Sequence, residues 1–116
     1  MTHAGLWTVL EHRVEGDDAQ RALIDALAVV HERWLPRFPG YHSTQFLASP
    51  DGRRVLSIVR WTSEADLASF EASGDHQAVM ADVEAALATV PGLLDANLSR
   101  FHPVRQVQAL TDPTRP

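Results

Sequence analysis

The chain has 116 residues, of which 45% are hydrophobic and 22% charged, and a formal net charge of −5. This length accommodates one domain with one core, and the composition excludes a largely disordered chain. Its ten arginines are scattered among fifteen acidic residues and form no basic stripe, so we expect no nucleic-acid partner. The lack of cysteine excludes disulfides, thiolate metal sites and a cysteine nucleophile. Without a leader-like start or a run of about 18 apolar residues, we expect a cytoplasmic protein with no membrane partner.

The first half of the chain predicts a strand, a long helix and a hairpin. Leu6–Val14 is rich in Trp, Val and Leu and alternates in part, as strands do. Apolar residues then recur at helical spacing over residues 19 to about 35, after Asp18, which can cap the helix. Tyr41–Ala48 and Arg54–Trp61 are typical strands, and the Ser-Pro-Asp-Gly turn between them predicts an antiparallel hairpin.

The second half predicts a broken helix and a last strand. Thr62 or Ser63 caps a short helix, Glu64–Ala72, and Ser-Gly-Asp at 73–75 ends it and caps a longer helix over residues 76–89. Residues 96–102 fit a fourth strand. The order β-α-β-β-α-β with a split second helix is the ferredoxin-like plan, an α+β domain over residues 1–110 that is followed by a flexible tail at 111–116.

One face of the predicted sheet is expected to remain partly apolar. Depending on which parity faces the helices, either Trp7 and Val9 or Leu6, Thr8 and Leu10 lie on the open side. An apolar open sheet face usually finds a partner, so we expect a homodimer whose two sheets face each other.

The candidate site residues cluster around the end of the third strand. Strand alternation places Ser57 and Trp61 on one face, so a hydroxyl and an indole N–H can enter one small cavity. Alternatively, Trp61 is a core residue whose N–H bonds a loop carbonyl, and Ser57 only packs. His76 at a helix N-terminus, where the dipole favours the neutral imidazole, is a candidate general base or else an exposed first-turn histidine. The six histidines show no zinc-site spacing, and no metal is expected.

The second strand carries more polar side chains than a core strand needs. Alternation predicts one face with Tyr41, Ser43 and Gln45, and the other with His42, Thr44 and Phe46. Tyr41, His42 and Gln45 are candidate substrate contacts, as is Phe70 of the short helix. Solvated or dimer-interface positions explain the polar strand residues equally well.

Residues 37–76 resemble the antibiotic biosynthesis monooxygenase family. The shared features are the Pro-Gly before the second strand, Trp61 followed by Thr-Ser-Glu-Ala, and a broken helix that closes near His76. The resemblance implies a dimeric α/β barrel and a cofactor-independent oxygenase of secondary metabolism. Such an enzyme oxidises an aromatic polyketide, for example an anthrone, with O2 and without flavin, haem or metal. The superfamily also implies three alternatives: a polyketide cyclase, a haem-degrading enzyme, or a non-catalytic binding domain.

The family's functional residues carry over only in part. Trp61 matches the tryptophan that holds and polarises the substrate, whereas the oxygenases' asparagine four residues earlier is Ser57 here, and their tyrosine six residues later is Leu67. Trp61 and His76 also fit the haem-degrading pattern, although the first strand lacks its asparagine. For a cofactor-free oxygenase the resemblance implies hydrogen-bond donors and a base. The expected donors are Trp61, Ser57 and Gln45. The expected base is His76 or His42.

Overall fold

The structure, a computed structural model, describes residues 5–110 as one four-stranded antiparallel sheet with helices on one face. Its elements are, in chain order, β1 (Leu6–Val14), α1 (Asp17–Trp34), a 3₁₀ turn (Leu35–Arg37), β2 (Tyr41–Ala48), β3 (Arg54–Trp61), α2 (Glu64–Ala72), α3 (Asp75–Ala88) and β4 (Leu93–Phe101). The predicted α+β, ferredoxin-like order with a split second helix is confirmed. The predicted tail at 111–116 lies outside the described residues.

The starts of α1, α3 and β4 differ from the predictions, whereas α2 begins where it was predicted. Gly16 precedes α1 and no side chain caps it, because Asp17 and Asp18 lie inside the first turn, where the helix dipole favours carboxylates. Asp75 likewise is the first residue of α3 and does not cap it. β4 begins at Leu93, earlier than predicted, because Leu93 pairs with Val14 of β1 across a register shift.

The sheet has the strand order β2-β3-β1-β4, so β1 and β3 are its central strands. Ser57 of β3 lies opposite Leu10 of β1 on one side and Phe46 of β2 on the other. On β1, Leu6, His12 and Val14 are buried under the helices. The helix-covered face therefore carries the even-numbered residues of β1 and the odd-numbered residues of β3.

A β-bulge at the start of β2 changes the faces predicted for its residues. Tyr41 pairs with Trp61, but Ser43 pairs with Arg60, so His42 is an extra residue in the ladder. As a result, Tyr41 lies on the helix-covered face with Thr44, to which its hydroxyl is hydrogen-bonded at 2.7 Å. The prediction that Tyr41 shares a face with Gln45 was wrong, because strict alternation fails across a bulge.

The core consists of two clusters of buried residues on the helix-covered face. The first is formed by Leu6, Leu35, Trp61, Leu67, Phe70 and Val79. The second is formed by Val14, Ala19, Leu23, Leu27, Val55 and Val90. Val83 of α3 packs against both clusters. Residues of both clusters line a cavity between the sheet and the helices.

The open face of the sheet is partly apolar, and it carries the odd-numbered residues of β1. Trp7 and Val9 of β1 pair with Arg60 and Ile58 of β3 on this face, away from the helices. The Arg60 guanidinium lies 4.3 Å from the centre of the Trp7 ring, a cation–π contact. Within residues 5–110, no helix combines the length and apolarity needed to cross a bilayer.

Candidate active site

A cavity of about 340 Å³ lies between the sheet and the helices that cover it. That volume is at the lower end of the range for small-molecule pockets. Most of its wall is apolar, from Leu10, Leu27, Leu35, Val59, Leu67, Phe70, Val79, Met80, Val83 and Leu98. The remaining lining side chains carry polar atoms and belong to Thr8, His31, Ser57, Trp61, Glu71 and His76. An apolar wall with few polar groups is typical of a binding site for a flat organic molecule.

Trp61 forms a rigid aromatic wall of the cavity. Its ring stacks on Phe70 with centroids 5.3 Å apart and an interplanar angle of 24°. The turn after Trp61 is fixed, because Thr62 N–H donates to Gly40 O at 2.8 Å and Ser63 Oγ accepts from Asp66 N at 3.0 Å to cap α2. Trp61 is thus part of the core, but the predicted bond from its N–H to a loop carbonyl is not among the hydrogen bonds of residues 5–110.

Ser57 places a buried hydroxyl in the cavity wall. The residue is only 2% exposed, and its Oγ has no hydrogen-bond partner in the described part of the chain. A buried hydroxyl without a partner costs about 1–3 kcal/mol, so natural proteins rarely retain one without a reason. A ligand oxygen in the cavity would satisfy this group.

His76 lines the cavity beside Phe70. It is the second residue of α3, and its ring meets Phe70 edge-on at a centroid distance of 5.0 Å. The residue is partly buried, so it is less exposed than the alternative of an exposed first-turn histidine supposes. Phe70 therefore contacts both the Trp61 ring and the His76 ring at the cavity.

The cavity opens toward the edge strand β4. Leu98 of β4 lines the cavity yet is 54% exposed. Glu71 of α2, another lining residue, accepts a hydrogen bond from the Arg100 guanidinium of β4. This ion pair links helix and strand beside the opening.

Three of the predicted substrate contacts do not line the cavity. Gln45 lies on the open face, where its Oε1 accepts a hydrogen bond from Arg60 at 3.0 Å. His42 is the exposed bulge residue, and its Nδ1 lies 2.8 Å from Ser43 Oγ. Tyr41 lies behind the aromatic wall, with its ring edge-on to Trp61 at 5.8 Å.

His31 lines the cavity, although the sequence reasoning did not select it. Its Nδ1 lies 3.0 Å from Thr44 Oγ1, and its ring meets Phe46 edge-on at 5.2 Å. Burial lowers the pKa of His31 to about 4, so the ring is neutral near pH 7. The sequence did indicate that His31 faces the core, because it follows Leu27 by one helical turn and so continues the apolar stripe of α1.

Other sites in the described part of the chain are less suited to chemistry. Within residues 5–110, no group of three His, Asp or Glu side chains could hold a metal ion. A larger depression of about 650 Å³ lies on the surface at residues 15–19, 22, 91 and 92. It is lined by exposed acidic residues and by no aromatic ring, so it lacks the wall that the smaller cavity has.

The sequence profile of the antibiotic biosynthesis monooxygenase family matches residues 11–82. Tetracenomycin-F1 monooxygenase of Streptomyces glaucescens is 38% identical over 55 residues, which are 47% of this chain and 49% of that enzyme. The chain therefore matches about half the length of this curated relative.

Solved structures with the same fold include two Streptomyces proteins. The monooxygenase from ActVA-Orf6 of Streptomyces coelicolor, in complex with nanaomycin D, has a TM-score of 0.78 at 23% identity, covering 92% of this chain and 94% of that one. SnoaB, a cofactor-independent oxygenase from Streptomyces nogalater, has a TM-score of 0.63 at 17% identity, covering 94% and 99%. At such identities the likeness establishes the fold.

Proposed function

The chain belongs to the antibiotic biosynthesis monooxygenase family, and we propose that it is a cofactor-independent oxygenase that acts on an aromatic polyketide-type molecule in secondary metabolism. One observation carries this proposal: an apolar cavity with a stacked wall, Trp61 on Phe70, also contains the Ser57 hydroxyl, which has no hydrogen-bond partner within residues 5–110. The wall suits the face of a fused-ring substrate, and the hydroxyl suits one of its oxygens.

The names of the relatives agree with a substrate of this class. One relative is a tetracenomycin-F1 monooxygenase, and one structural neighbour is a monooxygenase in complex with nanaomycin D. We take an anthrone as the representative substrate, because its methylene group is acidic and its rings are flat.

In the proposed reaction the protein supplies a base and hydrogen-bond donors. His76 removes a proton from the anthrone methylene, and the negative charge spreads to the carbonyl oxygen, which accepts from Trp61 Nε1–H and Ser57 Oγ–H. The carbanion gives one electron to O2, and the two radicals combine to form a C–O bond. The resulting peroxide takes the proton from His76.

Loss of the second methylene proton then breaks the O–O bond. His76 accepts this proton, hydroxide leaves, and the carbon becomes the new quinone carbonyl. The proton finally joins the hydroxide, so that one atom of O2 enters the product and the other becomes water. O2 is the only oxidant that this balance needs, and the largely apolar wall limits side reactions with solvent.

We also propose that the protein is a homodimer formed by the open sheet faces. Trp7, Val9, Leu56 and Ile58 present apolar surface there, and Phe101 at the edge is 53% exposed. Pairing two such faces removes this surface from water and leaves the cavity on the other side of each sheet.

The function is tested by O2 uptake and quinone formation with anthrone. Trp61→Phe removes the indole N–H and His76→Ala removes the base, so each variant should lose about 10²-fold or more in kcat/KM. Glu32→Gln, an exposed change on α1, serves as the control. Full activity of both site variants would refute the assignment. Product formation that continues without O2 would instead indicate a cyclase.

A further inference from the structure

His31 belongs to a chain of three hydrogen-bonded side chains that ends at the cavity. The Tyr41 hydroxyl lies 2.7 Å from Thr44 Oγ1, which lies 3.0 Å from His31 Nδ1. The contact between the rings of His31 and Phe46 holds the imidazole from a second side. The hydrogen bonds of His31 within residues 5–110 use Nδ1 and leave Nε2 without a partner. Since His31 lines the cavity, Nε2 is the nitrogen that remains for a ligand.

The relative acidity of the two hydroxyl groups indicates which group donates in each hydrogen bond of this chain. A phenol is a stronger acid than an aliphatic alcohol, so the Tyr41 hydroxyl is the better donor to Thr44 Oγ1. Among the hydrogen bonds of residues 5–110, His31 Nδ1 is the acceptor that remains for the Thr44 hydroxyl proton, so we assign the proton to that bond. A neutral imidazole that accepts at Nδ1 carries its own proton on Nε2.

We propose that His31 is a catalytic residue that donates its Nε2–H to the substrate oxygen on which negative charge develops, with Thr44 and Tyr41 as positioning residues. This inference rests on the proposed function, since the oxygen in question is the carbonyl of an anthrone-type substrate. The donor comes from the helix layer, whereas Ser57 and Trp61 belong to the sheet, so the oxygen is met from two layers of the fold.

His31 suits the role of hydrogen-bond donor because its ring is uncharged. Burial holds its pKa near 4, so the ring remains an uncharged donor throughout the range in which the enzyme would work. The same low pKa makes it a poor base, because proton transfer from an anthrone would be steeply uphill. Glu71 and His76 are the other titratable side chains that line the cavity, and the Arg100 guanidinium pairs with Glu71 at its edge. No carboxylate is hydrogen-bonded to His31 within the described residues.

The proton position can be measured without any turnover. In protein labelled with ¹⁵N-histidine, the His31 spectrum should show an unprotonated Nδ1 and a protonated Nε2 from about pH 8 down to about pH 5. Added anthraquinone, a flat aromatic ketone, should shift the Nε2–H signal. Thr44→Val should release Nδ1 and mix the two tautomers, which a purely structural role of Thr44 does not predict. A protonated Nδ1, or no response of Nε2–H to anthraquinone, would overturn the proposal.

The catalytic part is tested with anthrone in matched variants. His31→Phe keeps a ring against Phe46 but removes the donor, and should lower kcat/KM about 10²-fold. His31→Gln restores an amide donor and should recover part of that loss, whereas Glu32→Gln should behave as wild type. Thermal unfolding identifies any variant that fails to fold. If a His31 variant fails to fold, the ¹⁵N spectrum and the rate of anthrone oxidation of Thr44→Val test the role of His31 instead. Equal activity of wild type and His31→Phe would refute the role. If wild type does not oxidise anthrone, the proposed function fails, and the ¹⁵N experiment still decides whether His31 binds the ketone.

Discussion

Tyr41 and Trp61 are cross-strand partners where β2 begins and β3 ends, and their rings meet edge-on at 5.8 Å. Phe70 stacks on the same indole, so two other aromatic rings pack against Trp61. A ring fixed in this way loses little further freedom when a ligand binds, which favours affinity for flat molecules. The bulge at His42 creates this pairing, because it turns Tyr41 toward the helices.

Removing the Ser57 hydroxyl should stabilise the empty protein and impair the enzyme. Ser57→Ala relieves a buried Oγ that has no partner in the described chain, so we expect the free energy of unfolding to rise by about 1 kcal/mol. Anthrone oxidation should fall about tenfold or more, because one donor to the developing oxyanion is lost. Urea unfolding and O2 uptake measure the two effects. Ser99→Ala on the open face is the control, and a large loss of stability in Ser57→Ala would contradict the prediction.

Stability should fall as the pH is lowered from about 6.5 toward 4, because of His31 and His12. Burial lowers the pKa of both rings from 6.5, to about 4 for His31, so the unfolded chain binds protons in this range that the folded chain does not. For His31 the loss is on the order of 3 kcal/mol across the window. His31→Phe should therefore show a shallower pH dependence in urea unfolding. An equally steep dependence in that variant would contradict the assignment.

Two aspartates affect the stability of the fold in a lower pH range than the histidines do. The pKa of Asp95 is lowered by its hydrogen bond from Arg13, and that of Asp82 by its hydrogen bond from Trp34. A carboxylate with a lowered pKa stabilises the fold above its ordinary pKa, and the contribution is lost as the pH falls through the folded value. The aspartates therefore change the free energy of unfolding at a lower pH than the histidines do. The contributions of the aspartates and of the histidines can be measured separately for this reason.

Gly40→Ala should destabilise the turn that positions Trp61. Gly40 has φ +84°, and an added Cβ would lie 2.3 Å from the Asp66 side chain, which itself packs at the start of α2. The left-handed conformation alone costs about 1–2 kcal/mol for alanine, and the overlap adds to that. Gly74→Ala is the matched control, because Gly74 has a helical φ and open space around it. Equal melting temperatures of the two variants would contradict the expected difference.

Ile58→Glu should convert the proposed dimer to a monomer. Ile58 lies on the open face between Val9 and Gln45, so a carboxylate there would be buried against its symmetry mate. Sedimentation analysis should show a dimer for wild type and a monomer for this variant. Val29→Glu changes a side chain that is 51% exposed on α1 and should remain dimeric. A monomeric wild type at micromolar concentration would refute the dimer.

The sequence by itself determined the elements whose signals are local. The hairpin turn, the bounds of β2 and β3 and the capped start of α2 follow from residues adjacent in the chain, and the structure has all of them where they were predicted. Of the two predicted caps of α2, Thr62 or Ser63, the structure has Ser63. The shared face of Ser57 and Trp61 also follows from alternation within one strand.

Only the tertiary structure decided which side chains meet at the cavity. The bulge at His42 depends on how β2 pairs with β3, and that pairing placed Gln45 on the open face and Tyr41 behind Trp61. His31 meets Thr44 because α1 packs on β2, a contact between elements that no spacing within either one encodes. Local signals reflect short-range hydrogen bonding and steric preference, whereas a site between layers depends on packing among residues far apart in the chain.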